Sequence, residues 1–203
     1  MQLLQNAREV RFSDGDWLYG TTEAAGGLFG IVEGGVRLYA TFTRGEAHLL
    51  DILGPGAWFG QVGLLRNGQR LVTAIAAQSL SAILVPRSTL MQLLHETPQF
   101  VDSVLRLDLE HFQYVLRAYS EVVSLAPRAR IAGRLHALSG RMPSGAIAKI
   151  VATQADLAEM VGVERKTVHR ILKDFENLGL IHLTYRAIEI CSRRGLAQIR
   201  DEV

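Results

Sequence analysis

An α+β fold is predicted: an N-terminal double-stranded, jelly-roll-like β-roll, one long helix and a C-terminal winged helix-turn-helix. Three features predict it. Residues 10–86 are short β-prone runs punctuated by glycine. Residues 99–125 carry a sustained heptad of apolar side chains. Residues 153–173, TQADLAEMVGVERKTVHRILK, have the spacing of two helices joined by a tight glycine turn. The 203 residues accordingly divide at 1–97, 98–126 and 127–203.

In the first part, residues 28–32 and 36–42 flank Glu33-Gly34-Gly35, whose glycines suit a tight hairpin turn. Arg44-Gly45 separates the second run from residues 47–53. Gly54-Pro55-Gly56 makes the next turn and Asn67-Gly68 another. Residues 71–77 and 81–85 continue the series, and Pro86 ends it. Turn signals at this spacing predict a small antiparallel barrel or roll. Asp14-Gly15-Asp16 reads as one more turn before a strand.

Two helices follow. Residues 87–96 form a short one that stops before Pro98. In the long one, Leu105, Leu109, Phe112, Leu116, Tyr119 and Val123 alternate by four and three, the seam of a two-stranded coiled coil. A second apolar flank runs through Val101, Val104, Val115 and Val122. A helix apolar on two sides needs the roll on one and a partner on the other, so a homodimer is expected. Pro127 breaks this helix, and residues 130–138 open the C-terminal part.

There, Thr153 with Asp156 forms a near capping box for a first helix that buries Leu157, Ala158 and Val161. Gly162 can take the positive φ of the turn. The second helix starts near Glu164 and buries Val168, Ile171, Leu172 and Phe175, leaving Arg165, Lys166, His169 and Arg170 on the opposite face. Residues 180–184 and 187–191 then make a small hairpin with Tyr185-Arg186 at its turn. Helix, helix and hairpin together predict a winged helix whose basic second helix enters the major groove of double-stranded DNA. Arg165, Lys166, His169 and Arg170 are placed for base edges, Thr153, Tyr185 and Arg186 for phosphates, and Thr167 is expected among the DNA-binding residues with them.

Charge is distributed to match. Residues 126–203 carry 13 Lys/Arg against 8 Asp/Glu, a net of +5, leaving residues 1–125 with 9 against 12, a net of −3. The single cysteine, Cys191, excludes an intramolecular disulfide and an iron–sulfur cluster held by this chain's thiolates, and it reads as core filling in the wing. No Cys/His metal spacing, phosphate-loop GKS/T or His–carboxylate–nucleophile pattern occurs, so neither a metal site nor catalysis is expected. With no basic-then-apolar leader and no long apolar run free of Gly and Pro, the expected location is cytoplasmic and off the membrane.

The segments FGIVEGGVRLY (29–39) and GPGAWFGQVGLL (54–65), with Gly68 and Arg70, and then Arg130-Ile131-Ala132 and the helix-turn-helix, resemble the Crp/Fnr family of bacterial transcription regulators. The resemblance covers nearly the whole chain. It implies a cyclic-nucleotide-binding-like roll for a small-molecule or nucleotide effector, a homodimer on a pseudo-palindromic operator, and RNA polymerase as a further partner. In nucleotide-binding members the loop reads Phe-Gly-Glu-Leu, with Arg-Ala or Arg-Ser about ten residues on; the glutamate takes the ribose 2′-hydroxyl and the arginine the cyclic phosphate. Here Arg70 stands at the arginine position and Gly60 and Gly63 shape the turn, but the glutamate is Gln61 and the small residue is Leu71. The Thr-Ser pair that meets adenine corresponds to Val115 and Leu116, which cannot donate.

These departures imply an effector other than classical cAMP: a different anion on Arg70, or a site that has become scaffold. The alternatives are a cAMP-responsive regulator using Arg70 and Gln61, or an adaptor and dimerisation module without sequence-specific DNA binding. Haem would need an axial ligand, for which His48, His95 and His111 are available; lone histidines are ordinarily surface or satisfied core residues, so haem is not expected. Many members carry glutamate where this chain has Lys166, which implies a half-site departing from the common one.

Overall fold

A computed structural model of the chain describes residues 4, 6–21, 23–41, 45–65, 69–141 and 148–202. Six strands make one antiparallel sheet that closes into a roll: β1 (Arg8–Phe12), β2 (Trp17–Tyr19), β3 (Gly27–Thr41), β4 (Ala47–Leu53), β5 (Trp58–Phe59) and β6 (Thr73–Pro86). The order is β1-β6-β3-β4, with β2 on β6 and β5 on β3. Phe29, Ile31, Val36, Leu53, Phe59 and Leu80 fill the interior, with Ala74, Ala76 and Ala82 letting the layers approach.

Residues 33–35 are not the expected hairpin turn. β3 runs straight through them, paired along its length with β6. Glu33 pairs with Ser81 and Gly35 with Ala77, so the extra residues of β6 bulge out, with Gly34 at φ +83° and Gln78 at φ +65°. Glycine's freedom at positive φ serves a bulge as readily as a turn. A Cβ at position 34 would collide with the Ser79 carbonyl. For the same reason residues 71–77 and 81–85 are not two strands: β6 is continuous from Thr73, and Leu71 and Val72 precede it. Residue 42 and the Asn67-Gly68 turn lie outside the described residues.

After a short helix α1 (Val62–Leu65), α2 (Arg87–Glu96) leaves β6 at Pro86 and buries Leu90 and Leu93. Helix α3 (Pro98–Ser124) begins with proline in its first turn, where no donor is lost. It lies on its own chain through Phe100, Val104, Leu107, Tyr114 and Glu121. Of the expected second flank, Val104 is buried and Val101 half-buried, whereas Val115 and Val122 are exposed.

The C-terminal part comprises α4 (Pro127–Gly140), β7 (Ala148–Ile150), α5 (Gln154–Val161), α6 (Arg165–Asn177), β8 (Ile181–Thr184), β9 (Ala187–Ile190) and α7 (Arg193–Asp201). β7 adds a third strand to the wing, in the order β7-β9-β8. Cys191 is exposed and is not core filling. Ile188 and Ile190 point inward, so the two-residue alternation of a strand turns position 191 outward.

Leu49 and Ile52 of β4 join Tyr114, Ile131, Leu157 and Val161 in one hydrophobic core, so the roll packs directly on the C-terminal helices. Polar ties cross the same boundary: the Arg141 guanidinium meets Asp51 at 2.7 Å, and the Leu49 N–H donates to Glu159 Oε1 at 2.6 Å.

Candidate nucleic-acid interface and effector cavity

The helix-turn-helix rests on local devices. The Asp156 N–H donates to Thr153 Oγ1 at 3.1 Å and the Thr153 N–H to Asp156 Oδ2 at 2.7 Å, a complete capping box. Gly162 ends α5 at φ +64°, and Arg130 Nη1 donates to the Val161 carbonyl at 2.9 Å, a cation on a helix C-terminus. Leu157, Ala158, Val161, Val168, Ile171, Leu172 and Phe175 are buried. The opposite face of α6 exposes Arg165, Lys166, His169 and Arg170, with Thr167 half-buried. His169 Nδ1 lies 3.2 Å from Gln154 Oε1, linking α6 to the start of α5. At the wing tip Tyr185 is 89% exposed, while Arg186 (φ +56°) pairs with Asp14 of the roll. The Asp14-Gly15-Asp16 turn thus also holds the wing.

The seam residues of α3 are exposed in the single chain, from Leu116 at 50% to Tyr119 at 70%. Leu105, Leu109, Phe112 and Val123 lie with them as a continuous apolar stripe.

A cavity of about 300 Å³ opens between the roll and α3. Gly60, Gln61, Arg70, Leu71 and Val115 all line it, so five of the six expected effector residues come together; Leu116 does not. Arg70, however, is buried, and its Nη1 and Nη2 donate to the carbonyls of Gly60 (2.8 Å) and Gly27 (3.3 Å). Its guanidinium carbon stands 3.8 Å over the Tyr19 ring. Two glycines make this fold-back possible. A Cβ on Gly60, already at φ +99°, would stand 2.7 Å from Arg70 Nη1, and one on Gly63 would stand 3.2 Å from Arg70 Cδ. Burial lowers the Arg70 pKa, and it raises that of Tyr19 to about 12.

Gln61 is fully buried. Its Nε2 donates to Asp108 Oδ1 at 2.9 Å and lies 3.0 Å from His111 Nδ1, both on α3. Burial lowers the His111 pKa, so a neutral ring accepts the second amide hydrogen. His48 and His95 are exposed. Among the described residues no cluster of His, Cys, Asp or Glu is placed to hold a metal ion. Tyr19, Asp51 and Asp108 were not anticipated as cavity residues. Asp108 and His111 immediately precede the seam residues Leu109 and Phe112, and polar residues at such positions were the available signal.

A cyclic nucleotide needs an anion cradle and a ribose acceptor. Among the described lining residues the one arginine is tied through both Nη atoms to backbone carbonyls and carboxylates of Asp51 and Asp108 line the space, so these residues do not fit a cyclic phosphate.

Known proteins resemble the chain in sequence and fold. Residues 9–97 match the cyclic nucleotide-binding domain and residues 129–199 the Crp-like helix-turn-helix domain. The chain is 24% identical over 200 residues to a CRP-like cAMP-activated global transcriptional regulator of Mycobacterium tuberculosis, covering 97% of this chain and 89% of that protein. It is 27% identical over 177 residues to the cyclic AMP receptor protein of Thermus thermophilus, covering 85% and 78%. The fold superposes on FixK2 from Bradyrhizobium japonicum with a TM-score of 0.82, at 20% identity and over 97% and 98% of the two chains. Matched in both domains, in the same order and over almost its whole length, the chain belongs to the Crp/Fnr family of transcription regulators and is not an enzyme.

Proposed function

We propose that the chain is a homodimeric, sequence-specific regulator whose α6 enters the major groove of a pseudo-palindromic operator. The observation that carries this reading is the exposed face of α6, where Arg165, Lys166, His169 and Arg170 lie together opposite a wholly buried apolar face. Base edges fall to these residues and Thr167; phosphates fall to Thr153, Tyr185 and Arg186. The apolar stripe of α3 supplies the second copy's seat, and the two-fold axis sets the half-site spacing. Residues 1–97 form the effector domain, 98–126 the dimerisation helix and 127–203 the DNA-binding domain. The protein works in the cytoplasm with RNA polymerase as partner; no helix among the described residues is long and apolar enough to cross a membrane.

The Mycobacterium tuberculosis and Thermus thermophilus relatives are, by name, a cAMP-activated regulator and a cyclic AMP receptor protein. We infer a different effector for this chain from the inward engagement of Arg70. The test pairs two measurements on the purified full-length protein. Binding to random duplex DNA should fall steeply with salt, and selection from a random library should return a two-fold symmetric site. Calorimetry with cyclic AMP and cyclic GMP should show no micromolar binding. Salt-insensitive or absent DNA binding would favour an adaptor instead.

A further inference from the structure

The cavity beneath α3 has the size and lining of a small-molecule site. Leu38, Leu50, Phe59, Val62, Val72 and Val115 supply most of its wall. Nearly every polar group around it is already occupied. Arg70 is held through both Nη atoms by two carbonyls and stands over a tyrosine face, with its Nε left as a buried donor that has no partner among the described residues. Asp51 accepts from the Ile52 N–H at 2.8 Å and pairs with Arg141. Among the described lining residues Gln61 leaves an acceptor open. Both its amide hydrogens are used, by Asp108 and His111, which also fixes its orientation, since a flipped amide would set its oxygen against the Asp108 carboxylate. Gln61 Oε1 is therefore left as a buried acceptor with no partner among the described residues. Buried acceptors in native proteins are almost always satisfied, so this atom calls for a donor.

Charge narrows the ligand further. Asp51 and Asp108 line the cavity, and Arg70, the one Lys or Arg among its described lining residues, has both Nη atoms turned to backbone. Asp51 is paired with Arg141, but Asp108 is bonded only to the neutral Gln61 amide among the described residues, so an anion placed beside it would meet its carboxylate. An engineered cavity of about 150 Å³ admits benzene; at about 300 Å³ this one has room for a two-ring compound.

We propose that the cavity binds an uncharged, largely apolar small molecule that donates one hydrogen bond, from a hydroxyl or N–H, to Gln61 Oε1. The proposal rests on the reading that the effector is not a cyclic nucleotide, and it names the class that replaces it. The same Gln61 is bonded to Asp108 and His111, the immediate neighbours of seam residues Leu109 and Phe112 on α3. Ligand binding is thereby linked to the dimerisation helix.

Calorimetry of the full-length protein with four probes tests this: 1-naphthol, 1-methoxynaphthalene, 1-naphthoate and cyclic AMP. Naphthol should bind at least tenfold more tightly than methoxynaphthalene, which keeps the rings and loses the donor; naphthoate and cyclic AMP should bind more weakly than either. Gln61→Met should abolish the naphthol preference and leave methoxynaphthalene affinity in place. Val72→Phe, which fills the cavity, should block both compounds. If Gln61→Met does not fold, the naphthol–methoxynaphthalene ratio on the natural chain and the Val72→Phe result decide. Equal affinity for the two compounds, or no binding of either, overturns the proposal while leaving the rejection of cyclic AMP intact. Cyclic AMP that binds tightly and displaces naphthol overturns both. The DNA-binding reading is judged separately by its salt dependence.

Discussion

Arg37 of β3 clamps Asp156 of α5 through two parallel bonds, Nε to Oδ1 and Nη2 to Oδ2, each 2.9 Å, with both side chains buried. Asp156 Oδ2 is also the oxygen that caps α5 by accepting from the Thr153 N–H. The roll therefore holds the carboxylate that starts the helix-turn-helix. Burial disfavours the Arg37 charge, but the hydrogen bonds and charge of Asp156 outweigh it and raise its pKa.

Removing one partner of such a pair leaves a buried, uncompensated charge, a loss of about 3–5 kcal/mol. Arg37→Ala should lower stability by that order in urea unfolding, and Arg37→Met with Asp156→Asn should recover much of it. A loss under about 1 kcal/mol would mean that the pair behaves as a screened surface bridge.

Arg70 makes a second case in which role follows from partners. An arginine kept for a ligand anion would be a burden to the unliganded fold, and its removal would be neutral or stabilising. Here the guanidinium satisfies two carbonyls. Arg70→Ala should therefore cost about 2 kcal/mol or more, since each buried acceptor left unpaired costs about 1–3 kcal/mol. Thermal and urea unfolding without added ligand distinguish the two. An Arg70→Ala protein as stable as the parent would restore the anion-site reading.

These two residues also mark what could be read from sequence. The helix-turn-helix was legible because its signals are local: the Thr153–Asp156 box, Gly162, and an apolar face at helical spacing all lie within one short segment. The roll was less so. Gly34-Gly35 allows a turn or a bulge with equal ease, and only pairing with β6, far along the chain, selects the bulge. The position of Arg70 was legible, but its direction was not, because Tyr19, Gly27 and Gly60 belong to three separate segments. β7 is three residues long and is defined by its pairing with β9, so it carries no periodic signal of its own.

The exposed stripe on α3 predicts self-association. Leu109→Asp together with Leu116→Asp should yield a monomer in sedimentation, with much weaker operator binding, because each desolvated carboxylate would oppose the apolar seam. Neither residue packs on its own chain's core, so the monomer should keep its fold by circular dichroism. A variant that still sediments as a dimer would place the interface elsewhere.

His111 gives a pH dependence of defined sign. Burial lowers its pKa below the ordinary 6.5, so the unfolded chain binds more protons in the window beneath that value. Its stabilising contribution is complete above pH 6.5 and is lost as pH falls through the folded-state pKa. His136, also lowered by burial, acts in the same sense, whereas Glu121, raised by burial, acts oppositely above its ordinary 4.5. The His111 share is therefore read by difference. Urea stability should fall from pH 7.5 to 5.5 in the natural chain and fall less in His111→Gln. Identical slopes would show that His111 does not titrate in this window.

The last prediction concerns what α6 reads. Arg165 and Arg170 present planar forks that suit guanine O6 and N7, so an alanine at either should cost about 1–3 kcal/mol and relax specificity at one base pair. Arg186 has a different expected role. It sits on the wing, where a phosphate must compete with its pairing to Asp14; if it wins, Arg186→Ala should weaken all sequences about equally and shrink the salt slope. Lys166 is the informative position. Its ammonium has three donors and no acceptor, so it cannot take a hydrogen bond from cytosine N4 as a glutamate would; it must seek guanine or thymine oxygens. Selection from a random duplex library should therefore return a half-site with an acceptor facing Lys166, and Lys166→Glu should move the preference at that one pair toward cytosine. Recovery of the same site by both proteins would mean that Lys166 faces phosphate or solvent and that its neighbours on α6 carry the readout.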